Sequence, residues 1–140
     1  MLRQISVFIE NKTGRLASVM EILNNNKIDI RAMTIADTTD FGIIRIVVRD
    51  SESTLAILRE NGCTATSTKV IGFTIPDYSG ALYDVIGAFE DAGINVEYCY
   101  SLMCKREGQA DIVVRVDNND KAVEVLTAKN ITLLSPEDIA

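Results

Sequence analysis

The chain has 140 residues, of which 47% are hydrophobic and 24% charged, the balance of a folded domain or a pair of very small ones and not of a disordered segment. Twenty acidic residues against 14 basic ones give a formal net charge of -6, which speaks against nucleic acid and anionic membrane surfaces as partners. With no histidine, the commonest general base and the commonest transition-metal ligand are both missing, so no metal or other cofactor is expected.

Met1 to Glu10 alternates apolar and polar positions, the period of a strand, where a secretory signal would show a basic start and a continuous apolar run. No apolar stretch approaches the roughly 20 residues that span a bilayer, and a cytoplasmic location is expected. After Ile5-Ser6-Val7-Phe8-Ile9 comes Asn11-Lys12-Thr13-Gly14, then apolar residues at Leu16, Val19, Met20 and Leu23. That spacing predicts an amphipathic helix, with Thr13 as its candidate N-cap. Ile28 to Ala36 reads as a strand, Asp37 to Asp40 as a turn and Gly42 to Arg49 as a further strand. A short second helix is expected around Leu55 and Leu58, followed by a strand that runs without a flexible linker through Thr64 to Val70.

From there the pattern starts again. Placing Gly14 on Gly80, a shift of 66 residues, superposes Ile9, Leu16, Val19, Ile28, Gly42, Ile46, Val47, Val48 and Arg49 on identical residues without a gap. The second copy supplies its own helical stripe at Leu82, Val85, Ile86 and Phe89, with Ser79 as the matching N-cap candidate. Strands follow at Ile94 to Met103 and Gln109 to Val116 around a turn at Lys105 to Gly108, then a helix around Val123 and Leu126. The fold class is therefore α+β: two ferredoxin-like βαββαβ repeats, antiparallel sheets with helices on one face, residues 1–68 and 69–140. Cys63, Cys99 and Cys104 form no CxxC pair, and their odd number argues against a disulfide framework; they are expected to be small buried hydrophobes.

The repeated loop between first strand and first helix is where chemistry is expected. A glycine at a helix start lets a ligand approach the backbone, and the free N–H groups there suit a carboxylate. Asn11 and Asp77, three residues before each glycine, are placed to accept hydrogen bonds from an ammonium group, so a zwitterion would satisfy both ends of the loop. The same residues also serve as ordinary turn and capping residues, and duplication of the fold duplicates them. Because Asp77 carries a full charge, the second loop is the better candidate for holding an ammonium.

The βαββαβ order, the repeat near 70 residues, the Asn/Asp-x-Thr/Ser-Gly-x-Leu loop and the Gly93-Ile94-Asn95-Val96 stretch, with Lys27-Ile28-Asp29-Ile30 as its counterpart, together resemble tandem ACT domains over nearly the whole chain. Thr13 and Ser79 stand where that family often has proline. The resemblance implies regulatory amino-acid binding at an interface between ACT units, as in the control regions of aspartate kinase and phosphoglycerate dehydrogenase. Carried over by position, the ligand-facing residues would be Asn11, Gly14, Arg15 and Leu16 in the first copy and Asp77, Gly80, Ala81 and Leu82 in the second. Asn95 and its counterpart Asp29 are secondary candidates.

Other owners of this strand order fit less well. Acylphosphatases bind phosphate at the same loop, and Arg15 is a possible anion-binding arginine, but the second copy has Ala81 there and no nucleophile and base pair is recognisable; no catalytic residue is assigned. RNA-recognition modules stack bases on aromatic residues of the third strand, whereas Ile43, Ile44 and Ile46 are aliphatic. A ligand-free interaction module is the main alternative: Phe8, Ile43 and Val47 are expected on the sheet face opposite the helices, where they would meet a partner, and a homodimer is expected.

Overall fold

The computed structural model describes residues 1–37, 40–103 and 106–139. Thr38, Thr39, Cys104 and Lys105, which belong to the two predicted turns and their flanks, lie outside the described residues. In chain order the elements are β1 (Leu2–Glu10), α1 (Arg15–Asn25), β2 (Ile30–Asp37), β3 (Phe41–Val48), α2 (Ser51–Glu60), β4 (Thr64–Pro76), α3 (Ala81–Asp91), β5 (Val96–Leu102), β6 (Gln109–Val116), α4 (Asn119–Ala128) and β7 (Thr132–Leu133), closed by a single 3₁₀ turn at Pro136–Ile139. The chain divides into an N-terminal unit, Arg3–Thr68, and a C-terminal unit, Lys69–Ala140 joined by Met1–Leu2. The expected uninterrupted junction is strand β4 itself, 13 residues long, which contributes its start to one unit and its remainder to the other.

In the N-terminal unit the strand order is β2-β3-β1-β4. Antiparallel pairing sets Val7 opposite Ile44 and Ile5 opposite Ile46, and Ile35 of β2 opposite Ile44. Alternation then delivers Ile5, Val7, Ile44, Ile46 and Val48 to one face, where Val19 and Leu23 of α1 and Leu58 of α2 close the core. The C-terminal unit repeats this as β5-β6-β4-β7. Phe73 pairs with Ile112, and Ile71, Phe73, Ile75, Ile112 and Val114 face Val85 and Phe89 of α3 and Leu126 of α4. Leu2 packs here because Gly72 leaves room for it: a Cβ at that glycine would stand 2.5 Å from Leu2 Cδ1.

Two sets of helix starts differ in kind. At α2 and α4 a side chain caps the helix, Asp50 accepting from the Ser53 N–H at 3.1 Å and Asn118 accepting from the Lys121 N–H at 3.1 Å. At α1 and α3 the expected caps Thr13 and Ser79 are corrected by the structure: the N-cap positions are Gly14 and Gly80, one residue later, with φ of 89° and 98° and no side-chain cap bond. A left-handed glycine turns the chain sharply into the helix, so the preceding hydroxyl residue belongs to the turn.

The helix ends show the repeat drifting. Gly93, with φ of 73°, ends the turn after α3, and the equivalent position after α1 is Lys27, with φ of 55°. A side chain in this region costs about 1–2 kcal/mol, partly offset in a glycine variant by the greater freedom of its unfolded chain. Lys27→Gly is expected to stabilise the protein by up to about 1 kcal/mol, read as a higher urea midpoint with unchanged slope. A lower midpoint would show that Lys27 makes a compensating interaction.

Burial corrects three other expectations. Cys63 is only half-buried, packed against the edge of the N-terminal core, and Cys99 is exposed on strand β5; burial pushes the Cys63 thiol pKa up. On the sheet face opposite the helices Phe8 is exposed and Ile43 half-buried as expected, but Val47 is fully buried and unavailable to a partner.

Candidate functional site

Each β-strand-to-helix loop is held by its own backbone. In the first, the Lys12 N–H donates to the Glu10 carbonyl at 2.9 Å, the Arg15 N–H to the Lys12 carbonyl at 3.2 Å and the Ser18 N–H to the Gly14 carbonyl at 3.0 Å. The second repeats these bonds as Tyr78 to Pro76 at 3.1 Å, Ala81 to Tyr78 at 3.2 Å and Asp84 to Gly80 at 3.0 Å. Free N–H groups stand at both helix starts: among the described residues, those of Gly14, Leu16 and Ala17, and of Gly80, Leu82 and Tyr83, have no acceptor. A Cβ built on Gly14 or Gly80 meets no atom within 4 Å, so the approach to the backbone is open.

Each loop is also tied to the hairpin beside it, and here the copies diverge. Asn11 donates its backbone N–H to the Asp40 carbonyl at 3.0 Å, whereas Asp77 donates to the Gly108 carbonyl at 2.9 Å. An open depression of about 340 Å³ beside the first loop is lined by Glu10, Asn11, Lys12, Asp40 and Phe41. Glu10 is engaged there: Lys12 Nζ lies 3.0 Å and Arg15 Nη2 3.9 Å from Glu10 Oε2. The Lys12 hydrogen bond, then the Lys12 and Arg15 charges, hold the Glu10 carboxyl below its ordinary pKa. Around the second loop stand an exposed Asp77 and the exposed rings of Tyr78 and Tyr83. Asp77 has no ion pair among the described residues.

The structure brings Asn11, Gly14, Arg15 and Leu16 together at the first loop and Asp77, Gly80 and Leu82 together at the second, Leu16 and Leu82 presenting nearly equal exposure of 37% and 36%. Ala81 belongs to the same turn, but its side chain is buried in the core against Val85, so only its backbone reaches the loop surface. Asn95 is not brought to the loop. Its backbone exchanges hydrogen bonds with Asp117, at 3.1 and 3.2 Å, beyond the far end of β6, whereas the loop follows Pro76 opposite Gln109 at the near end. Eight residues of strand separate these ends, about 25 Å at the usual rise per residue. Asp29 likewise precedes β2 at the end away from its loop, paired with Arg31 at 3.2 Å. A polar residue at a strand start looks equally placed in sequence; only the antiparallel path of helix and strand shows that it is not.

Among the described residues no group of three or more His, Cys, Asp or Glu is positioned to hold a metal ion. Among the described residues no helix is long and apolar enough to cross a membrane.

The family model describing an ACT domain pair matches residues 1–140. This chain belongs to the ACT domain pair family. Of the solved structures, protein BT0572 from Bacteroides thetaiotaomicron is 38% identical with a TM-score of 0.91, the similarity covering 99% of this chain and 94% of that one. The regulatory subunit of aspartate kinase from Thermus thermophilus, solved ligand-free, is 15% identical with a TM-score of 0.66 and coverage of 91% of both chains. That from Thermus flavus is 16% identical with a TM-score of 0.62, covering 91% of this chain and 93% of that one. At such identities the two kinase subunits establish a shared fold. No curated protein shows significant similarity to the chain. The fold predicted from the internal repeat is therefore that of an ACT pair, two βαββαβ copies with antiparallel strands and four helices.

Proposed function

We propose that this ACT pair is a non-catalytic, cytoplasmic regulator that binds an amino acid and modulates a partner enzyme or pathway of amino-acid metabolism, with residues 1–68 and 69–140 as its two recognition units. The observation that carries the reading is the second loop, where unbonded N–H groups of Leu82 and Tyr83, an open approach over Gly80 and the uncommitted carboxylate of Asp77 stand in one turn. The N–H groups match a ligand carboxylate, Asp77 matches its ammonium, and Leu82 with the tyrosine rings offers apolar surface to a side chain. Asn11, Gly14, Arg15 and Leu16 are the corresponding residues of the first loop. Kinship with the ACT family, whose relatives of this fold include regulatory subunits of aspartate kinase, supports the ligand class and the regulatory role.

A ligand that prefers one arrangement of such units shifts the population toward it, and only that preference transmits a signal. The test is a thermal-shift screen of the purified protein against the twenty amino acids singly and a few 2-oxo acids. A saturable rise in melting temperature with one of them is expected, equivalent to about 2.7 kcal/mol at a hundredfold excess over Kd. Absence of any shift would contradict the sensor reading.

A second reading, a ligand-free dimerisation module, is favoured by Phe8, Met33, Ile35 and Phe41 of the N-terminal unit, 44%, 42%, 44% and 60% exposed, Met33 and Ile35 lying on its edge strand β2. Both readings include a homodimer. Sedimentation showing only monomer at high concentration would remove that expectation.

A further inference from the structure

A buried carboxylate in the C-terminal unit lies outside both loops. Asp111 on β6 has a side chain only 7% exposed, and it is met by two donors. Thr74 Oγ1, on the paired strand β4, donates to Asp111 Oδ1 at 2.6 Å, and Arg106 Nη2 lies 2.9 Å from the same oxygen and 3.0 Å from Thr74 Oγ1. Arg106 opens the turn leading into β6, closed by the Gln109 N–H to the Arg106 carbonyl at 3.4 Å with Gly108 at φ of 77°. The Gly108 carbonyl is the acceptor that holds the Asp77 N–H at 2.9 Å. One continuous set of contacts therefore runs from the buried carboxylate through Arg106 and its turn to the backbone of Asp77.

We infer that Arg106 and Asp111 are positioning residues for the second loop: their ion pair, braced by Thr74, fixes the hairpin turn that aims Asp77. The residues that make this contact are not repeated in kind. At the 66-residue shift Arg106, Asp111 and Thr74 correspond to Asp40, Arg45 and Phe8, and the first loop is held instead through the Asp40 carbonyl. Both loops are tied to their hairpins, but the turn that holds the Asp77 amide is braced by Arg106, Asp111 and Thr74, which favours Asp77 over Asn11 as the first site to be occupied. Arg106 is itself half exposed, but the carboxylate it meets is buried, and leaving Asp111 there without its cation is unfavourable, which is what lets the contact hold the turn. The functional consequence rests on the proposed reading of the second loop; the structural link does not.

The experiment is amide hydrogen exchange by NMR on the full chain, followed by the amino-acid thermal-shift screen on the same variants. In Arg106→Gln and in Asp111→Asn, which is isosteric and keeps an acceptor for Thr74, the Asp77 amide is expected to exchange about tenfold faster while the Asn11 amide is unchanged. Arg106→Lys is expected to restore slow exchange, since one nitrogen makes both contacts and a lysine ammonium can do the same. Any amino acid that shifts the wild-type melting temperature is expected to lose most of its shift in Arg106→Gln and regain it in Arg106→Lys. Unchanged exchange at Asp77, or equal acceleration at Asn11 and Asp77, would overturn the proposal. Faster exchange at Asp77 with no amino acid shifting the wild type would uphold the positioning link and sink the amino-acid reading.

Discussion

Asp77→Ala is expected to weaken amino-acid binding by about 10- to 100-fold, the loss of a charge-assisted hydrogen bond of roughly 1.5–3 kcal/mol. The carboxylate is exposed and without an ion pair among the described residues, so removing it relieves no internal contact and leaves the fold untouched. Asn11→Ala is expected to cost less, about 0.5–1.5 kcal/mol at most, because a neutral amide is the weaker acceptor for an ammonium. Titration calorimetry with the amino acid that gives the thermal shift measures both. Equal losses in the two variants would mean that the loops contribute alike, and no loss in either would place the site elsewhere.

Phe89→Ala is expected to lower the stability of the protein by about 3–5 kcal/mol, a large part of the roughly 5–15 kcal/mol that a domain possesses. Phe89 is fully buried on α3, in the cluster that joins α3 and α4 to β4 and β6. Truncation removes the ring from a close-packed core and leaves a cavity that the surrounding strands fill only partly. Leu23, its counterpart on α1, is 1% exposed, and its truncation is expected to cost about 2–5 kcal/mol. Urea unfolding of both variants checks the pair; a loss below about 1 kcal/mol at Phe89 would show that the core collapses around the gap.

These cores were legible in the sequence because periodicity is a local property. The stripe Leu82, Val85, Ile86 and Phe89 and the alternating Ile71, Phe73 and Ile75 announce a helix and a strand whatever they pack against, and the shift of 66 residues reads each pattern twice. The turn was legible only in composition: Thr13 and Ser79 look like caps, but the left-handed Gly14 and Gly80 take that position. Ala81 and Arg15 occupy equivalent positions, yet one side chain is buried and the other exposed. Asn95 lies away from the second loop because its place depends on the path of the chain, not on its sequence neighbours. The contact of Thr74 with Asp111 joins residues 37 apart on paired strands, and nothing in a single sequence couples them.

An NMR titration of the labelled protein with the twenty amino acids, following backbone amides residue by residue, locates the site. Saturable shifts with one amino acid are expected, concentrated at Asp77 through Tyr83, with the Leu82 and Tyr83 amides moving most. Shifts confined to other parts of the chain, or no shifts with any amino acid, would contradict a ligand site at the second loop.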